Sequence, residues 1–141
     1  MSDLDIVKEF LVESSENLDR LDRNLAELEK HPADGELLSD IFRTIHTIKG
    51  TSGFLAFTNL EAVALVGESL LGGARDAYIP LTPEITAALR AIVDAVRQML
   101  ATIAADGTDG NNDYKKLIER PQKSAGMPFI TVSSQRFDPN Q

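Results

Sequence analysis

Asp3-Leu4-Asp5-Ile6-Val7-Lys8-Glu9-Phe10-Leu11-Val12-Glu13-Ser14 opens a segment that runs on through Leu18, Leu21, Leu25 and Leu28 to Lys30. Val7, Leu11, Ser14, Leu18, Leu21, Leu25 and Leu28 fall in alternating steps of four and three, the a/d-like spacing of one helix face. Phe10 widens that stripe, and Glu, Asp, Arg and Asn fill the other faces. The spacing predicts one long amphipathic helix from about Asp3 to Lys30. His31-Pro32 ends it, because proline cannot continue the hydrogen-bond ladder and restricts the residue before it.

The same period recurs downstream. Asp34 is a capping residue for a second helix whose core stripe is Leu38, Ile41, Ile45 and Ile48. Thr58-Asn59-Leu60-Glu61 has the Ser/Thr-x-x-Glu form of a capping box and opens a third. Its apolar side is Leu60, Val63, Ala64, Gly67, Leu70 and Leu71, and Gly72-Gly73 weakens its end. Thr82-Pro83-Glu84 combines a cap, a proline at the first helical position and an acid beside the positive dipole end. The fourth stripe is Ile85, Leu89, Ile92, Val96, Met99 and Ile103, and Asp106 to Asn112 is a loop by composition. A short fifth helix is expected from about Asp113 to Glu119, with Tyr114, Leu117 and Ile118 as its contacts. The fold class is therefore all-α: an antiparallel, up-down four-helix bundle with a possible short fifth helix. Residues 1–120 form the expected domain. Residues 121–141, rich in Pro, Ser, Gln, Gly and Asn, are expected to be a flexible tail or linker.

Composition narrows the function. The chain has 141 residues, is 43% hydrophobic and carries a formal charge of −8. That balance argues against a nucleic-acid or anionic-membrane surface, which needs clustered Lys and Arg. Cysteine is absent, so there is no disulfide framework or thiolate metal site. No segment approaches the roughly 20 apolar residues of a membrane span. The acidic N-terminus lacks signal-peptide character, which makes a cytoplasmic location the expectation. No P-loop, kinase loop set, glycine-rich ATP lid or nucleophile elbow is present, and no Glu-x-x-His pair suits a di-iron bundle. Because every stripe is consumed within the bundle, an isolated domain is expected to be a monomer.

Chemistry concentrates on the second helix. His46 is one of two histidines. At 100° per residue it shares a strip with Phe42, Lys49 and Gly50, beside the core stripe, so the imidazole belongs at the bundle rim. Imidazole ordinarily titrates near pH 6.5, so its neutral, nucleophilic form is available near pH 7. Histidine is a competent covalent nucleophile. Lys49, three residues on, places an ammonium where it offsets phosphoryl charge, and Gly50, Thr51, Ser52 and Gly53 leave room for a large partner. Each of the two glycines costs about 1 kcal/mol relative to alanine in a helix, which asks for a reason: partner docking or tight helix packing. His31, at a helix C-terminus, is read as structural.

The run Ile41-Phe42-Arg43-Thr44-Ile45-His46-Thr47-Ile48-Lys49-Gly50-Thr51-Ser52-Gly53-Phe54 resembles the phosphoacceptor helix of histidine phosphotransfer (HPt) domains, most of all those of chemotaxis kinases of the CheA type. The likeness extends through Phe57 to Glu61 and Glu68 to Leu71, as far as Arg75, and more loosely over residues 1–120. It implies that His46 accepts phosphate, Lys49 is the phosphate-side cation and Glu68 is a hydrogen-bond partner of the imidazole. Phe42, Gly50 and Gly53 are the expected partner-docking positions. The resemblance implies a carrier rather than an enzyme. His46 would be charged by a histidine kinase catalytic domain that holds ATP and magnesium, and discharged to an aspartate on a response regulator receiver domain; no cofactor is expected in this chain. One position departs from the pattern: Leu65 stands three residues before Glu68, where the family often has a second histidine. A four-helix interaction module that has lost relay activity is the alternative expectation.

Overall fold

The computed structural model describes residues 2–76 and 80–110. They form four helices and no strand: α1 (Asp3–Lys30), α2 (Gly35–Phe54), α3 (Thr58–Arg75) and α4 (Pro83–Asp106). Residues 113–119 and 121–141, where the short fifth helix and the tail are expected, lie outside the described residues.

Each helix packs on its neighbours in the chain, and α4 closes the ring against α1. The pairings run in opposite directions along each partner. Asn24 meets Asp40 and Arg20 meets Thr44 between α1 and α2. Arg90 reaches Glu29, and Arg97 reaches Asp19 and Asp22, between α4 and α1. Antiparallel, up-down connectivity follows. These ion pairs are at the surface, where solvent screens them and they add little; the stripes hold the bundle. Leu18, Leu25, Ile41, Leu60, Leu70, Ile92 and Met99 are fully buried. A small void of about 10 Å³, walled by residues such as Leu25, Ile41, Ile45, Leu71 and Ile92, lies between all four helices. That space holds at most one water, and its walls are apolar. In α1 the stripe shifts slightly: Phe10 is buried and stacks on Phe57, whereas Val7 and Leu11 are only half-buried.

Three of the four helix starts are capped locally. Ser2 and Asp5 form a reciprocal capping box, Asp34 accepts from the Leu37 N–H at 3.1 Å, and Thr82 accepts from the Ile85 N–H at 3.2 Å with Pro83 in the first turn. The expected capping box on α3 does not form. Phe57 occupies the N-cap position, Thr58 is already helical, and no local side chain caps the helix. Asp109, in the loop after α4, supplies the acceptor instead: its Oδ2 takes the Leu60 N–H at 3.0 Å. Asn59 Nδ2 donates back to the Gly110 carbonyl at 2.8 Å. A tight α2–α3 corner displaces the cap. The Phe57 N–H bonds to the Ser52 carbonyl at 2.9 Å and the Ala56 N–H to that of Gly53 at 3.1 Å, a Schellman closure with Ala56 in the left-handed region at φ 63°. So short a turn brings Thr58 into the helix before its hydroxyl can serve as a cap.

Candidate functional site

The α2 stripe that buries Ile41, Ile45 and Ile48 leaves His46 on the rim, with a side chain 59% exposed. Antiparallel packing of α3 on α2 then sets Glu68 opposite it. His46 Nδ1 lies 2.7 Å from Glu68 Oε2, and Lys49 Nζ donates to Glu68 Oε1 at 3.0 Å. One carboxylate therefore joins both residues of the His-x-x-Lys motif. Burial pushes the Glu68 carboxyl up, but the hydrogen bonds from His46 and Lys49 and the charge of Lys49 outweigh it and hold the group below its ordinary value. An ionised carboxylate only accepts, so the Nδ1 of a neutral His46 carries the proton. Nε2 is left with its lone pair, engaged by no hydrogen bond among the described residues. The result is an oriented imidazole at the surface, one ring nitrogen held by a carboxylate and the other open.

Phe42, one turn before His46 and an expected docking position, is engaged within the domain. It is half-buried, and its ring lies nearly parallel to the imidazole, centroids 6.0 Å apart at 8°. The guanidinium of Arg75, at the end of α3, sits 4.2 Å from the Phe42 centroid. This arm depends on α3 continuing through Gly72-Gly73 to Arg75, past the point where the sequence weakens it. Gly72 makes room for the ring, since a Cβ there would stand 3.3 Å from Phe42 Cε2. The spacing of Phe42 four residues before His46 signals the stacked pair within α2, whereas nothing local in the sequence signals the Arg75–Phe42 contact, which joins two helices.

Lys49, expected on the phosphate side, is committed at one donor to Glu68 and is 24% exposed. Gly50 is exposed, and a Cβ there would meet nothing within 4 Å, so internal packing is not its reason. Gly53 is also exposed, but a Cβ there would run into the Glu61 carboxylate, the movable end of a flexible side chain. Phe54, 82% exposed, continues the strip of His46 and Gly50. Leu65 is half-buried on α3. His31 is the C-cap of α1. No group of three His, Cys, Asp or Glu side chains suited to a metal ion occurs among the described residues. Nor is any helix among them long and apolar enough to cross a membrane.

Comparison with known proteins agrees with this geometry. The chain is 40% identical over 124 residues to a sensor histidine kinase CheAY of Helicobacter pylori, covering 87% of the chain but 15% of that protein. It is 33% identical over 108 residues to the chemotaxis protein CheA of Bacillus subtilis, covering 77% of the chain and 16% of that protein. The chain thus spans about a sixth of the length of these relatives. Among solved structures, the solution structure of a histidine phosphotransfer domain of CheA superposes with a TM-score of 0.82 at 27% identity, covering 92% of this chain and 98% of that one. The CheA phosphotransferase domain from Thermotoga maritima superposes with a TM-score of 0.71 at 33% identity, covering 74% and 99%. The sequence pattern of the Hpt domain matches residues 5–99, and with an oriented, exposed histidine on the second helix of an up-down bundle, the chain belongs to the Hpt domain family of phosphotransfer relay modules.

Proposed function

We propose that His46 Nε2 is the phosphoacceptor of this module. It takes the γ-phosphoryl group from ATP held, with magnesium, by a histidine kinase catalytic domain, and passes it to an aspartate of a response regulator receiver domain. The observation that carries this reading is the 2.7 Å contact between His46 Nδ1 and Glu68 on an otherwise exposed side chain. As the Nε2–P bond forms and the bond to ADP breaks, the ring gains positive charge while Nδ1 keeps its proton. The Glu68 carboxylate is already in place to stabilise it. Lys49 holds the other carboxylate oxygen and, with two donors left on its ammonium, adds positive charge near the phosphoryl oxygens. Chemotaxis signalling is the setting in which the named relatives place such a domain. In this reading the chain is a carrier, and ATP binding belongs to the partner.

Incubation with ATP and the ATP-binding core of a CheA-type kinase tests the proposal. The expected product is an acid-labile, base-stable adduct that disappears in His46→Gln. Equal labelling of the variant, or no adduct with any of several such cores, would replace the relay with a non-phosphorylated interaction module.

A further inference from the structure

We propose that Phe42 is a positioning residue for phosphoryl transfer: held by Arg75 and by the space above Gly72, its ring fixes the plane of the His46 imidazole. This rests on the reading of His46 as phosphoacceptor and deepens it. A single hydrogen bond at Nδ1 locates one atom of the ring. The ring turns only on its Cα–Cβ and Cβ–Cγ bonds, but the hydrogen bond still lets it rock on the two together, and that rocking sweeps Nε2 through an arc. The in-plane Nε2 lone pair must meet phosphorus opposite the leaving oxygen, so the arc is a loss of alignment. A neighbouring ring that walls one side of the arc limits it, and Phe42 is so placed, in an offset stack nearly parallel to the imidazole at 8° with centroids 6.0 Å apart.

Phe42 can do this because it is itself immobilised from α3. Arg75 lies 4.2 Å from its centroid, a cation–π distance. Gly72 leaves the gap into which its edge fits, where a Cβ would stand 3.3 Å from Cε2. The acceptor helix contributes the two rings, and α3 contributes the carboxylate, the gap and the guanidinium. His46 is thus held at two non-collinear points, both referred to the same helix.

A docking role and a positioning role for Phe42 separate in the kinetics. With the ATP-binding core of a CheA-type kinase and saturating ATP, Phe42→Leu is expected to lower kcat about tenfold while KM for this domain stays within about twofold. Phe42→Tyr, which keeps the aromatic face, is expected to retain most of the rate. Arg75→Gln, a surface change that frees the ring without emptying its site, is expected to lower kcat about threefold, again without a change in KM; it carries the test should Phe42→Leu not fold. A loss expressed in KM, an unaltered kcat in Phe42→Leu and Arg75→Gln, or a loss in Phe42→Tyr equal to that in Phe42→Leu overturns the proposal. An unphosphorylated native chain, or labelling that survives His46→Gln, instead overturns the phosphoacceptor reading on which it stands.

Discussion

Asp109→Ala is expected to destabilise this domain, and Thr58→Ala is not, although the sequence places the α3 cap at Thr58. In the structure the Thr58 side chain caps nothing, while Asp109 Oδ2 accepts the Leu60 N–H at 3.0 Å across 49 residues of chain. Removing a side-chain N-cap costs about 1 kcal/mol, within a range of roughly 0.5–2. The carboxylate also faces the positive end of α3, which adds about 0.3–1 kcal/mol at a partly screened site. The sum for Asp109→Ala is about 1.5 kcal/mol. Asp109→Asn, which keeps an acceptor and loses the charge, should cost roughly a third of that. For a domain of roughly 100 residues, 1 kcal/mol moves the midpoint by about 4–5 °C, so Asp109→Ala should melt about 7 °C lower. Thr58→Ala should stay within about 0.5 kcal/mol of the native chain, as surface changes usually do. Thermal and urea unfolding followed by circular dichroism at 222 nm measures all three. Loss of a cap's worth of stability in Thr58→Ala, with none in Asp109→Ala, would refute the remote cap. Because Leu60 lies eight residues, about 12 Å of helix, from Glu68, the effect should appear in stability and leave the phosphorylation rate at 25 °C unchanged.

Two further outcomes follow from the same geometry. The Glu68 carboxyl titrates below its ordinary value of 4.5 in the folded protein, so its contribution to stability is complete above the unfolded value and is lost as pH falls through the lowered folded one. Glu68→Gln should therefore cost about 1 kcal/mol near neutrality and converge on the native chain in acid; urea midpoints across pH 3–7 read this, and a difference independent of pH would refute it. Ala56 holds a left-handed φ of 63° at the Schellman closure of α2, a conformation that costs a residue with a Cβ about 1–2 kcal/mol relative to glycine. Ala56→Gly should raise stability by about 0.5–1 kcal/mol after the entropy glycine adds to the unfolded chain, and a lowered melting temperature would show the strain argument to be mistaken.

Much of the bundle was legible because helix faces are periodic. The stripes of α2, α3 and α4 are buried residue for residue as the spacing predicts, and α1 has the predicted bounds. The caps at Asp34 and Thr82 were also legible, since a local cap joins residues three apart. What was lost in each case depended on how one segment folds against another, beyond the reach of a single helical period. The Thr58 motif is a valid capping signal, but the corner closed by Ser52, Gly53 and Ala56 left Phe57 at the N-cap and the acceptor to Asp109. The glycines at 50 and 53 read alike in sequence. Only the fold separates them, placing open space over one and the Glu61 carboxylate over the other.

The sequence by itself determined that four amphipathic helices must bury their stripes together and that His46 lies beside, not within, the α2 stripe. Those properties follow from a 3.6-residue period acting on a single segment. The register of α3 against α2 was decided by tertiary packing. It gives Glu68 to His46 and Lys49 at once, and it carries Arg75 back over Phe42. Register is a property of two surfaces fitted together, with Gly67 3.3 Å short of Ile92 and 3.7 Å short of Ile45 were it given a Cβ. No period in either segment of sequence encodes that fit, and the orientation of the His46 ring depends on it.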